Sequence, residues 1–186
     1  MKKTKKKYID DYIHSFNSIL FNVKSEKENI EKIYKLLIKY QKKNAIHVFG
    51  NGGSASIASH FSMDLTNNTQ IKCFSYNDPS IITCYSNDFK YENWVSRAVE
   101  KYGNKNDLLI LISSSGESKN MLNAVKTAKK KKFSKILTFT GFNSKNSLKK
   151  IGDINIWINS KVYNVIENSH QFYLLMLVDM IKKFKK

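Results

Sequence analysis

The residues that invite a chemical reading lie at two short junctions and on two helices. The first junction is His47-Val48-Phe49-Gly50-Asn51-Gly52-Gly53-Ser54-Ala55, and the second is Leu109-Ile110-Leu111-Ile112-Ser113-Ser114-Ser115-Gly116-Glu117-Ser118. Each runs from an apolar, strand-like segment into small, hydroxyl-bearing residues, and then into a helical pattern. Free backbone N–H groups and the positive end of the helix dipole point outward at such a place. Glycine lets the backbone come close to a ligand, and serine hydroxyls add donors. The chemistry suggested is the grip of an anion, above all a phosphate. One glycine-rich turn would be weak evidence, since each serine alone also reads as a cap or a turn residue. Two such junctions in a short chain are stronger. Neither has the G-x-x-x-x-G-K-[ST] run or the G-x-G-x-x-G spacing of nucleotide sites.

Acid–base candidates sit at helical spacing. His60 and Asp64 are four residues apart in the helix after the glycine turn, so they share a face. Glu167 and His170 are three apart in the last helix and share one too. A carboxylate and a histidine suit proton transfer between neighbouring carbons. The plainer readings are a charged helix surface for Asp64, a satisfied, partly buried His170, and dipole complementation for Glu167. Glu117, at a helix start, reads the same way, and beside a phosphate it should point away or meet a sugar hydroxyl. His14 and His47 read as structural.

The elements that must position these groups follow from periodicity. Apolar Tyr8, Tyr12, Ile13, Phe16, Ile19 and Leu20 mark one helix. Ser25 and Glu28 then give an S-x-x-E capping box before a second helix carrying Ile30, Ile33, Tyr34, Leu37 and Ile38. Strands are predicted at 45–49, 71–75, 108–112, 135–140 and 154–158. Helices are predicted from about Ser54, over 91–102, over 118–130 and over 165–184, with 81–85 open between strand and helix. The alternation predicts an α/β fold with a parallel sheet covered on both faces. A single domain over 1–186 is expected, with N-terminal helices at 1–44 and an α/β core at 45–186.

Composition bounds the rest. The chain has 186 residues, is 41% hydrophobic and carries a formal charge of +17. Such a charge invites nucleic acid. Yet Arg97 is the only arginine, and the densest lysine runs, at 2–7, 129–132 and 182–186, fall at the termini and a helix end. A solvated lysine surface is the better reading, and no nucleic-acid partner is expected. No apolar run reaches membrane-spanning length. The basic start is not followed by a signal-type apolar stretch and cleavage site, so a cytoplasmic protein without a membrane partner is expected. Cys73 and Cys84 suggest neither a disulfide scaffold nor a metal site.

The motifs together resemble a known family. Gly50-Asn51-Gly52-Gly53-Ser54-Ala55, His60-Phe61, Asp64-Leu65-Thr66, Asn87-Asp88-Phe89, Ser113-Ser114-Ser115-Gly116-Glu117-Ser118 and Leu137-Thr138-Phe139-Thr140-Gly141 are similar to those of sugar isomerase (SIS) domains. Among these the chain most resembles the phosphoheptose isomerases, over nearly its whole length. The resemblance implies a three-layer α/β/α, flavodoxin-like SIS fold with a five-stranded parallel sheet behind two N-terminal helices. It implies a phosphorylated sugar as ligand, aldose–ketose isomerisation, a role in lipopolysaccharide or capsule precursors, and a homotetramer. Asn51, Gly52, Gly53 and Ser54 would line the ligand site, Ser113, Ser114, Ser115 and Ser118 would hold the phosphate, and Asp88 would meet sugar hydroxyls.

In the family a Glu and a late His form the catalytic pair, and zinc can bind. Here Asp64 stands at the Glu position, set back by one methylene, and Leu175 stands at that His. The expected catalytic set is therefore Asp64, Glu167 and His170, with Asp64 or Glu167 as base and His60 or His170 as acid or ligand. His60, Asp64 and Glu167 form the candidate zinc set. The departures leave a competing expectation open, a non-catalytic SIS domain that binds a sugar phosphate or a protein partner.

Overall fold

The computed structural model describes residues 4–21, 24–40 and 44–184. Parts of the terminal lysine runs and the side chains of Leu20 and Ser25 lie outside the described residues. Two helices open the chain, α1 (Lys5–Phe21) and α2 (Lys24–Leu37). The core then alternates β1 (Ile46–Gly50), α3 (Gly53–Asn68), β2 (Cys73–Ser75), α4 (Pro79–Phe89), α5 (Trp94–Tyr102), β3 (Leu108–Ser113), α6 (Lys119–Lys130), β4 (Lys135–Thr140), α7 (Ser147–Ile151), β5 (Ile154–Trp157) and α8 (Tyr163–Phe184).

The five strands are all parallel, in the order β2-β1-β3-β4-β5. The chain steps outward from β1 in both directions, so a crevice opens at the carboxyl ends of β1 and β3, where open α/β sheets take ligands. Both candidate junctions leave the sheet there.

The continuous apolar strand runs follow from burial on two faces. Ile46 and Val48 of β1 and Leu108, Ile110 and Ile112 of β3 pack with α2, α3 and α8. Phe49, Leu109 and Leu111 point the other way, onto α5 and α6. Phe61, Leu65, Leu174 and Leu177 fix α3 and α8 to the sheet and to one another. Burying each such leucine or phenylalanine is worth about 1.5–3 kcal/mol.

The structure settles one open reading and adds one element. The ambiguous 81–85 segment lies in helix α4. Asp78 accepts from the Ser80 N–H at 2.7 Å and Pro79 opens the first turn, which starts a helix rather than a strand. The short α7 was not expected. Its cap, Asn146, accepts from the Lys149 N–H at 2.8 Å.

A polar cluster sits among the apolar residues at the other end of β1. His47 bonds through Nε2 to Asp107 (2.9 Å) and through Nδ1 to the Tyr76 hydroxyl (2.7 Å). Asp107 also accepts from the Ala45 and Asn104 amides. His47 is thus satisfied within the fold, at the end of β1 away from the glycine turn.

Candidate sugar-phosphate site

The first junction is shaped by its glycines. A Cβ on Gly50 would lie 2.2 Å from the Ser54 carbonyl oxygen, so only glycine lets β1 turn this tightly into α3. Gly52 has φ 55°, a left-handed conformation that glycine adopts freely. Gly53 leaves room for α8, whose Glu167 carboxylate packs where a side chain would stand. Ser54 donates to that carboxylate at 3.4 Å.

The second junction presents hydroxyls. Ser113 and Ser118 pair at 3.2 Å. Ser118 precedes α6 but makes no side-chain cap bond, so its hydroxyl is not spent on the helix. Ser115 accepts from the Glu117 N–H at 3.2 Å. The Ser114 hydroxyl is buried and has no partner. Among the buried unpartnered side-chain atoms of the described residues, it is the one that belongs to a residue of the serine-rich cavity, where it is free to bond a ligand. Glu117 turns away from this cradle and accepts from the Ser147 N–H at 2.8 Å, capping α7. Hydrogen bonding to Ser147, through its side chain first and its backbone second, lowers the pKa of this carboxyl.

A cavity of about 130 Å³ joins the junctions, walled by Asn51, Ser54, Ile112, Ser113, Ser114, Ser115, Ser118, Tyr163 and Glu167. Seven of the residues singled out in the sequence thus meet in one place. Tyr163 was not among them. It opens α8, four residues before Glu167, and its ring packs on Phe142 at 4.7 Å.

Other expected residues stand elsewhere in the protomer. His170 is a correction: it is 0% exposed, its Nε2–H donates to the Thr140 carbonyl at 3.1 Å, and its ring meets Phe139 edge-on. Burial pushes its pKa down to about 4, so it is neutral in the core, and it is not in the lining of the serine cavity. Three residues along a helix leave a turn of about 60° between side chains, enough to send Glu167 to the cavity and His170 to the sheet. Asp64 accepts from Asn68 at 2.5 Å within its own helix, His60 is exposed, and neither lines the cavity. Asp88 is exposed near the end of α4, bonded to Asn87 and Cys84. Leu175 lines a separate groove with Phe16 and Phe172.

The expected zinc set does not assemble within the protomer. Among the described residues, no three His, Cys, Asp or Glu side chains come close enough to hold a metal. Glu167 packs at Gly53, whereas His60 and Asp64 lie seven and eleven residues further along α3. That spreads the three over roughly 10 to 16 Å of helix.

The fold and the cavity together define a doubly wound α/β domain with a carboxylate beside a serine-lined cavity. Comparisons with known proteins give the particular family. The sequence pattern of the SIS domain matches residues 11–141. A phosphoheptose isomerase from Buchnera aphidicola subsp. Acyrthosiphon pisum is 37% identical over 188 aligned residues, covering 96% of each chain. One from Helicobacter pylori is 34% identical and covers 82% of each. The fold matches a phosphoheptose isomerase structure from Francisella tularensis with a TM-score of 0.88 at 24% identity, over 97% of this chain and 100% of that one. The chain belongs to the SIS-domain family, among its phosphoheptose isomerases.

Proposed function

We propose that the chain, as one SIS domain over residues 1–186, is a sugar-phosphate aldose–ketose isomerase, most like those acting on sedoheptulose 7-phosphate. The carrying observation is the orphan Ser114 hydroxyl in a cavity that also holds Glu167. Ser113, Ser114, Ser115 and Ser118 take the phosphate, helped by the backbone N–H groups and dipole at the start of α6. Asn51, Gly52, Gly53 and Ser54 form the adjoining wall. Glu167 is the one carboxylate in the lining and there is no imidazole, so it serves as base. It takes the proton from the carbon beside the carbonyl, giving an enediolate; the hydroxyl proton passes from that carbon's oxygen to the former carbonyl oxygen, and Glu167 returns its proton to the former carbonyl carbon. The Ser54 hydroxyl and Gly53 hold Glu167 in place.

The non-catalytic alternative rests on Leu175 and Asp64, but a base in the cavity does not depend on either. The Buchnera and Helicobacter relatives, which match over most of the chain at 34–37% identity, are phosphoheptose isomerases. We further propose a homotetramer. Exposed Tyr8, Ile9, Ile13, Met63 and Phe172 form apolar surface suited to assembly. His60 and Asp64 flank Met63, so assembly through that surface would bring them beside a second copy. No described helix is long and apolar enough to cross a membrane. A cytoplasmic setting and a product destined for lipopolysaccharide or capsule belong to the same proposal. The test is incubation with sedoheptulose 7-phosphate and shorter ketose phosphates. Formation of the aldose supports the reading; a folded protein that binds these sugars and converts none refutes it.

A further inference from the structure

We propose that Asn120 and Tyr91 are positioning residues that lock the side-chain amide of Asn51 in one orientation, so that it presents a donor to the bound sugar phosphate. This rests on the proposed function but concerns residues outside the expected site. Asn51 lies in the first junction and lines the serine cavity. Its amide pairs reciprocally with that of Asn120, in the first turn of α6. Asn51 Nδ2 donates to Asn120 Oδ1 at 3.1 Å, and Asn120 Nδ2 donates to Asn51 Oδ1 at 2.9 Å. The Tyr91 hydroxyl, from the turn before α5, donates to the same Asn51 oxygen at 3.2 Å.

An unrestrained asparagine amide can turn over, exchanging its oxygen for its nitrogen. Here a turn would set oxygen against oxygen and nitrogen against nitrogen across the pair, and would strip Tyr91 of its acceptor. Asn120 cannot turn to follow. It is 2% exposed, and its oxygen also accepts from the Met121 N–H at 3.0 Å. Asn51 is therefore left with a spare N–H rather than a spare lone pair. A phosphate or carbonyl oxygen is attracted by the first and repelled by the second. The pair also ties the two junctions to each other. Asn51 and Ser118 are shared with a second cavity of about 410 Å³ that Tyr91 and Asn120 line, so these two side chains hold the partition from behind.

The test is a double-mutant cycle on Asn51→Ala and Asn120→Ala, with Tyr91→Phe as an exposed third variant. Affinity for sedoheptulose 7-phosphate is read by calorimetry, with turnover in parallel. Loss of the lock should weaken binding about ten-fold for Asn120→Ala and about three-fold for Tyr91→Phe. Adding Asn120→Ala to Asn51→Ala should cost nothing further, because Asn120 acts through Asn51. Effects that multiply in the double variant overturn the proposal, as does unchanged affinity in Tyr91→Phe. If Asn120→Ala fails to fold, Tyr91→Phe alone and combined with Asn51→Ala decides the matter. A native chain that binds the sugar phosphate without converting it refutes the isomerase reading and leaves the cycle readable.

Discussion

Replacing Gly53 by alanine separates chemistry from folding. The added Cβ would stand 2.3 Å from Glu167 Oε2 and 2.8 Å from Glu167 Cδ, whereas ordinary contact begins at 3.4 Å. The backbone does not resist the change: Gly53 is in α3 without a positive φ, and alanine favours helix over glycine by up to about 1 kcal/mol. The contact is relieved by the far end of a flexible side chain, so Glu167 yields. It must retreat by about 1 Å, a misplacement that can cost a reaction about a hundred-fold. Gly53→Ala should therefore keep a thermal midpoint near that of the native chain while kcat falls about a hundred-fold. Inorganic phosphate should still inhibit, since the serine cradle is untouched. The assays are aldose formation from sedoheptulose 7-phosphate, phosphate inhibition and thermal melting. Undiminished kcat would refute the placement of the base at Glu167. A fall in kcat matched by unfolding would refute the argument that the carboxylate is what moves.

Three further outcomes follow from the same geometry. Ser114→Ala removes a buried hydroxyl that no protein group satisfies, so stability should hold or rise, while KM rises about ten-fold or more through loss of a bond to a charged ligand. Gly116 has φ 69°, and a Cβ there would meet the capping Asn146 side chain at 2.1 Å, so Gly116→Ala should lower the melting temperature and weaken phosphate inhibition together. His170 has its pKa depressed from 6.5 to about 4. The unfolded chain then binds more protons below pH 6.5, so the stabilisation is whole above 6.5 and is lost as pH falls towards 4. That loss is roughly 3 kcal/mol. Desolvation lowers the pKa of buried His47 as well, so it adds to the same slope, whereas Asp107, held down against its own desolvation by bonds from Ala45, His47 and Asn104, loses its contribution only at lower pH, beneath the ordinary carboxylate range. Urea midpoints at pH 7 and pH 4.5 should differ accordingly, and by less in His170→Phe.

Much of the fold was legible because burial on two faces writes itself as continuous apolar strands. Residues 108–112 and 135–140 could hardly be anything else. The helix at α4 was less plain, since Ile81 to Tyr85 carries no clear period, although Asp78-Pro79-Ser80 held the capping signal. The five-residue α7 is too short for periodicity to show. In the site, the serines lie together because a turn places sequence neighbours side by side. Spacing could not say where a helix face points. Glu167 and His170 share a face in projection, yet one meets the cavity and the other the core. Asn120, Tyr91 and Tyr163 come from separate elements, and no sequence interval links them to Asn51 or Ser114.

The central claim is that Glu167 moves a carbon-bound proton of a phosphorylated ketose held by the serine cradle. Its most direct test is conversion of sedoheptulose 7-phosphate in deuterated water, followed by NMR, for the native chain and Glu167→Gln. The native chain should form the aldose with deuterium at the carbon next to the carbonyl, through the enediol. Glu167→Gln should bind the sugar yet show neither aldose nor exchange. Exchange that persists in Glu167→Gln, or a native chain that binds the sugar and exchanges nothing, would contradict the account.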